Sequence, residues 1–187
     1  MTLRSMGVGL LESSRVFVLL VLLVMLQVTV MPEVRVLGGS PDLVLVLTVL
    51  VALFRGPLAG TAVGFIGGLG VDALGLGIVG LTSLVLVLVG FAAGVVGERL
   101  RRRATLRPLL VVAVASILSS VVEIGLTTLI GTPSTVSRLI LIAAIPSAML
   151  DVLASIAMRP LVRRMLPDRS RAVRSPIVDE PVVGVVA

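Results

Sequence analysis

The residues of this chain that could do chemistry inside a membrane are four acids in or at the ends of apolar segments: Asp42, Asp72, Glu123 and Asp151. A carboxyl group at membrane depth is costly, so each acid is first a candidate functional-site residue. Glu123 and Asp151 lie deepest. Pro146, in the same segment as Asp151, frees a backbone carbonyl about one turn earlier. The pattern predicts a polar spot in which Asp151 and Pro146 face Glu123 and Gln27.

Several roles for these acids stay open on sequence grounds. Glu123 and Asp151 form an acid–base pair only if they face each other; alternatively, they are protonated and hydrogen-bonded inside a helix bundle. Asp42 follows Pro41 at a helix start and Asp72 precedes a glycine-rich turn, so helix capping and turn formation also explain both. The chain has no His, Lys or Cys, and its arginines lie almost entirely in loops. No proton relay, nucleophile, metal site or cofactor is therefore predicted.

The composition indicates which class of protein must position these side chains. Hydrophobic residues make up 57% of the chain and charged residues 14%, where a soluble domain carries about 25% charge. The mean hydropathy is +1.21. These values predict an integral membrane protein. The net charge of +6 comes without a basic soluble surface or aromatic stacking groups, so nucleic-acid binding is not expected.

The apolar segments predict an all-α integral membrane protein, a bundle of about six transmembrane helices. A single domain covers residues 1–166, and residues 167–187 are expected to form a disordered cytoplasmic tail. The first segment is interpreted as an uncleaved span. The predicted spans are 16–31, 41–54, 57–74, 79–97, 107–130 and 138–158.

Arginine placement predicts the turns and the orientation. Arg55, Gly56 and Pro57 would break a single long helix, so segments two and three are expected to form a hairpin that turns there. With six spans, 14 of the 16 arginines fall on the side that holds both termini, and that side is expected to be cytoplasmic. The basic loop is interpreted as a topological anchor, or alternatively as a site for anionic lipid or a cytoplasmic filament. Its arginines are Arg99, Arg101, Arg102 and Arg103.

A row of glycines marks the third segment. Gly56, Gly60, Gly64 and Gly68 are spaced by four residues, with Asp72 in the same register. On a helix, this spacing forms one ridge without side chains, which lets another helix approach to backbone contact. Segment four repeats the pattern on a smaller scale at Gly90 and Gly94. The ridge is expected either to pack inside the protein or to receive a partner's transmembrane helix.

Residues 41–94 resemble the MreD family of rod shape-determining membrane proteins. The resemblance lies in PDL followed by an aliphatic span, then RG, then GTAVGFIGGLGVD, then GL and another aliphatic span. Gln27 in the first segment also fits. Segments five and six match in hydropathy only. The residues that match the family pattern directly are Pro41, Asp42, Arg55, Gly64, Phe65, Gly68 and Asp72.

The resemblance implies a non-enzymatic scaffold of the bacterial cell-elongation machinery in the inner membrane. Such a protein binds the single-span protein MreC and, through it, is connected with the MreB filament and the peptidoglycan synthases. Segments two to four and the outer loops are then candidates for the MreC contact. The implied fold is similar to the substrate-binding component of energy-coupling-factor transporters. Homo-oligomer formation stays open.

That fold makes a vitamin-binding transporter subunit the alternative function. Vitamin pockets need aromatic and polar groups that converge on the ligand, whereas only 2% of this chain is aromatic, all of it Phe. The sequence therefore favours the scaffold. An intramembrane enzyme is the third class, and it would depend on the pair Glu123 and Asp151 alone.

Overall fold

A computed structural model describes residues 3–31, 33–34, 38–75, 79–99, 107–129, 131 and 134–166. Helices are the regular elements of this part of the chain, which is all-α as the composition predicts. The predicted tail, 167–187, lies outside the described residues. The six helices, in chain order, are α1 (Leu3–Thr29), α2 (Leu43–Arg55), α3 (Pro57–Leu74), α4 (Leu81–Arg99), α5 (Arg107–Leu129) and α6 (Ser134–Met165).

Four of the described helices contain apolar stretches long enough to cross a membrane: Pro57–Leu74, Leu81–Arg99, Pro108–Leu126 and Ile142–Met165. Two further apolar stretches, Ser14–Thr29 and Leu43–Arg55, are shorter. Large apolar side chains on α1 and on α3 to α6 point out of the bundle, as expected where the surrounding solvent is lipid. The protein is an all-α membrane protein.

The short helix α2 lies at the centre of the bundle. Each of the other five helices contacts it. Every residue from Val44 to Ala52 is buried, and a helix that is apolar all round is suited to such a position. Its 13 residues span only about 20 Å, less than the ~30 Å hydrocarbon thickness of a bilayer. Because protein surrounds it on all sides, α2 does not have to match that thickness.

Where the sequence predicts a hairpin, α2 ends at Arg55 and α3 begins at Pro57. Gly56 between them has φ 93°, a left-handed conformation that glycine adopts without steric penalty. Pro57 occupies the first turn of α3, where its missing N–H and fixed φ suit a helix start. The hairpin places α3 against α2, and α4 then folds back along α3 in the most extensive helix pair of the bundle.

Candidate functional site

The first candidate site is the start of α2, where side chains from four helices meet. Asp42 is the N-cap residue, and its Oδ1 accepts a hydrogen bond of 2.8 Å from the Leu45 N–H. The Leu43 N–H donates to Oε1 of Gln27, on α1, at 2.9 Å. The first amides of α2, which have no partner within their own helix, are thus bonded to side chains.

Asp151, on α6, completes this arrangement. Its Oδ1 accepts the Asp42 N–H at 2.6 Å, and its Oδ2 accepts the hydroxyl of Ser116, on α5, also at 2.6 Å. The side chain of Asp151 is 1% exposed. Both oxygens therefore hold neighbouring groups in place. We call Gln27, Asp42, Ser116 and Asp151 the α2 polar cluster.

Asp151 and Ser116 place the α2 polar cluster well inside the lengths of α6 and α5, whereas Gln27 lies two residues before the last residue of α1. Asp151 is 12 residues beyond Leu139, where the apolar sequence of α6 begins after Arg138, which corresponds to about 18 Å along the helix. The segment that precedes α2 passes close to α6 at this depth. A Cβ added to Gly39 would lie 2.6 Å from the backbone N of Ser147 and 2.9 Å from Cβ of Pro146. Unbonded polar groups at such depth are costly, so the cluster allows α2 to begin inside the bundle.

Glu123, the other deep acid, lies two turns along α5 from Ser116, on the same face, and is half-buried. The structure joins Asp151 to Asp42 and Ser116, and it places Gln27 on the neighbouring amide of α2. Among the described residues, no group of three or more His, Cys, Asp or Glu side chains is placed to hold a metal ion.

The second candidate site is the start of α4, where backbone amides donate hydrogen bonds to Asp72. Oδ2 of Asp72 accepts the Gly80 N–H at 2.8 Å and the Ser83 N–H at 3.2 Å, while Oδ1 accepts the Thr82 N–H at 3.3 Å. Asp72 belongs to the last turn of α3 and is 4% exposed. Its carboxylate meets the positive end of the α4 dipole. We call Asp72 and these three amides the α4 clamp.

The glycine ridge of α3 packs inside the protein. A Cβ added to Gly64 would lie 2.5 Å from the carbonyl O of Leu86, on α4, and 3.1 Å from Cγ2 of Thr48, on α2. A Cβ on Gly68 would meet the backbone of Ser83. Gly60 and Gly90 face each other directly, because a Cβ on Gly90 would lie 2.7 Å from the Gly60 carbonyl O.

The ridge of α3 therefore has a neighbour along its length. Gly94 continues the contact at the other end of α4, where an added Cβ would meet the backbone of Pro57. Gly60, Gly64 and Gly68 are all buried. In this conformation α4 and α2 occupy the strip, and no space remains there for a partner's helix.

The other predicted site residues contribute no side chain to the α2 polar cluster or the α4 clamp. The side chain of Phe65 projects from α3 out of the bundle and is 50% exposed. Pro41 is half-buried just before the N-cap of α2, and Arg55 and Gly56 form the α2–α3 turn. Arg99 is exposed in the last turn of α4. Arg101, Arg102 and Arg103 lie outside the described residues.

Two serines that the sequence analysis did not single out take part in these sites. Ser116 donates to Asp151. The hydroxyl of Ser83 donates to the Phe65 carbonyl at 3.2 Å, in addition to the bond from its N–H to Asp72. In the sequence, the only feature that marks either serine is that it is a small polar residue in an otherwise apolar segment. Such residues are common at helix contacts in membranes, so the signal does not identify their partners.

A family model described as rod shape-determining protein MreD matches residues 10–168 of the chain. No curated protein and no solved structure matches it. The match extends over all six helices, beyond the four segments in which the motif resemblance is found. The expected similarity to the transporter component stays a prediction.

Proposed function

Because the chain belongs to the MreD family of rod shape-determining membrane proteins, we propose that it is a non-enzymatic scaffold of the cell-elongation machinery. In this proposal it binds MreC in the bacterial inner membrane. Through MreC it supports peptidoglycan synthesis and is connected with MreB and the synthases. A role in determining rod shape follows from the family itself; the partner and the connection to synthesis are the proposal.

The observation that carries the proposal is that the buried acids accept hydrogen bonds at the starts of neighbouring helices. Asp72 accepts three amides at the start of α4, and Asp151 accepts one amide and one hydroxyl at the start of α2. Carboxylates engaged in this way position helices. Their arrangement supports a protein whose function is to present a fixed surface within the membrane.

The proposed orientation places both termini in the cytoplasm. Arg55, Arg99 and the pair Arg163 and Arg164 stand in the last turns of α2, α4 and α6. Cations there complement the negative end of each helix dipole. They also mark the same side of the bundle as cytoplasmic under the positive-inside rule.

The partner surface is proposed to be the outer face of α3. The ridge is occupied by α4, and α2 is buried, so neither offers MreC a surface. Of the residues that match the family motif, Phe65 is the one with a large apolar side chain that projects from the bundle, and Leu69 is exposed beside it. An aromatic side chain on a membrane-facing surface provides a large contact area for a single transmembrane helix.

In-cell photocrosslinking tests this proposal. A photoreactive residue at Phe65 is expected to crosslink to MreC. A matched control at Val114, which is 64% exposed on α5, is expected to give no such product. Crosslinking from Val114 but not from Phe65 would place the partner on another face. If a scan of exposed positions on all the helices yields no MreC product, the scaffold proposal is wrong.

A further inference from the structure

A groove between α1 and α3 is not used by either candidate site. Its volume is about 560 Å³, within the range of about 300 to 1,000 Å³ that bound small molecules occupy. Phe17 and Leu20 of α1 form one wall, and Ala62, Val63 and Ile66 of α3 form the other. Apart from Ser14 and Arg55, every described side chain that lines the groove is apolar. We call it the inner groove.

The inner groove runs along only part of the membrane thickness. On α1 its lining runs from Ser14 to Leu20 and on α3 from Ala59 to Ile66, which is about 10 Å along each helix. Beyond that, the two helices close on each other: a Cβ added to Gly67 would lie 2.9 Å from Cδ1 of Leu20, and one on Gly70 would lie 3.1 Å from Cγ1 of Val24.

These dimensions decide between two kinds of occupant. A partner's transmembrane helix is about 10 to 12 Å wide and needs roughly 20 residues to cross the bilayer. The groove would accept less than half of that length before the contact of α1 with α3 blocks it. An acyl chain is narrower and belongs to one leaflet, which is about 15 Å deep. The geometry fits an acyl chain.

The polar end of the groove indicates which lipid head group accompanies the acyl chain. Ser14, Arg55 and the first turn of α3 lie together at this end. A guanidinium group has five N–H donors in a planar fork that suits phosphate oxygens. Gly56, the N-cap of α3, has no side chain with which to bond the amides that follow, so the positive end of this helix dipole adds to the attraction. Glu98 also lies at this turn, with Oε1 3.2 Å from a Cβ added to Gly56.

We propose that the inner groove binds one anionic phospholipid, with an acyl chain between α1 and α3 and its phosphate at Arg55. With the orientation proposed above, the lipid comes from the cytoplasmic leaflet. The bound lipid fills the space between the two helices and fixes the position of α1, which contacts the rest of the bundle less extensively than α3 does.

Native mass spectrometry of the purified full chain tests the proposal. The protein is titrated with phosphatidylglycerol and, separately, with phosphatidylethanolamine of the same acyl chains. We expect one tightly bound phosphatidylglycerol, preferred roughly fivefold, the ratio that one arginine near a lipid head group provides. Arg55→Gln is expected to abolish the preference and Arg55→Lys to retain most of it. Arg163→Gln, at an exposed arginine of α6, is the matched control and should leave the preference unchanged.

A second pair of variants tests the groove without changing charge. Ala62 is exposed on α3, so Ala62→Phe fills the groove without entering the core and should weaken binding of both lipids. Ala73→Phe, at an exposed alanine of the same helix outside the groove, should have no effect. The proposal is wrong if the wild type shows no preference, if Arg55→Gln retains it, or if Ala62→Phe binds both lipids normally. It is equally overturned if Ala62→Phe retains lipid but abolishes crosslinking to a single-span partner.

Discussion

Two helices of this bundle begin at carboxylates that belong to other helices, and the two starts are built differently. In the α4 clamp, Asp72 accepts three amides that follow it by 8 to 11 residues. In the α2 polar cluster, Asp151 accepts an amide 109 residues away in the sequence and a hydroxyl 35 residues away. The first start is formed within one helical hairpin. The second requires α1, α2, α5 and α6 to be packed together.

The two starts differ in how much of the bundle must be in place before they can form. The α4 clamp joins neighbouring elements, so it can form as soon as α3 and α4 pair. The α2 polar cluster joins α2 to α1, α5 and α6, and loop closure over such sequence distances is entropically costly. The cluster also lies deeper, where water cannot replace a lost bond. The central position of α2 therefore depends on the more distant contacts.

The largest expected effect comes from the glycine behind the α4 clamp. In Gly68→Leu, the new side chain would meet the backbone of Ser83, whose N–H donates to Asp72. Backbone cannot move aside as a flexible side chain can, so we expect α3 and α4 to separate and the folded bundle to be lost, beyond the ~1 to 3 kcal/mol that overpacking usually costs. The measurement is the fraction of monodisperse protein against temperature in detergent.

Gly125→Leu is the matched control for that substitution, because Gly125 lies in α5 with open space around its Cβ position. It should unfold at the wild-type temperature or slightly above, since leucine favours a helix more than glycine does. If both variants lose the same thermal stability, the effect comes from replacing any helical glycine with leucine, and the account of close α3–α4 packing is wrong.

The next effect compares the two carboxylates by alanine substitution. Asp151→Ala leaves the Asp42 N–H and the Ser116 hydroxyl without their acceptor at depth, and an unsatisfied buried group costs about 1 to 3 kcal/mol. We expect a loss of about 2 to 6 kcal/mol for the two groups together. Asp72→Ala frees three amides, but Gly80 and Thr82 are half-buried, whereas Ser116 is 2% exposed. Water can therefore replace the lost carboxylate more easily at the α4 clamp.

Free energies of unfolding in mixed micelles measure this difference. Asp151→Ala should be the more destabilising of the two variants, although Asp72 accepts more hydrogen bonds. If Asp72→Ala is instead the more destabilising, the number of bonds matters more than their depth, and the comparison drawn above is wrong.

The two starts also differ in how much of them the sequence predicts. Pro41–Asp42 is a helix-start signal, and in the structure Asp42 caps α2 with its own side chain. Asp72 before a glycine-rich turn predicts capping, and the short distance to Gly80 limits the amides within its reach. The pairing of Asp151 with Asp42 has no such local signal. It depends on how far α6 is shifted along α2, which apolar helices in lipid do not specify by pattern alone.

The glycine ridge shows the same limit. The four-residue spacing of Gly60, Gly64 and Gly68 predicts a close helix contact, because only a strip without side chains permits backbone approach. Which helix makes that contact is not encoded in the ridge. The complementary groups on α4 are Gly90 and the backbone at Leu86 and Ser83. Leu86 carries no sequence signal, and Ser83 is marked only as a small polar residue in an apolar segment.

The smallest and sharpest effect is expected from asparagine, which keeps the shape of aspartate but replaces one oxygen with an amino group. At position 151 the amide oxygen can still accept the Asp42 N–H, and the Ser116 hydroxyl can rotate to accept from the new NH₂. At position 72 both oxygens accept backbone amides, and an N–H cannot rotate to become an acceptor. We therefore expect Asp72→Asn to lose about 1 to 3 kcal/mol and Asp151→Asn less.

The order of the two sites is thus reversed between the alanine and the asparagine variants. The same unfolding measurement on all four proteins tests this reversal, with Ser116→Ala in the Asp151→Asn background as a check on the rotating hydroxyl. If asparagine ranks the sites as alanine does, the serine does not adapt. The α2 polar cluster would then need its aspartate as strictly as the α4 clamp does, because a buried donor tolerates no second donor opposite it.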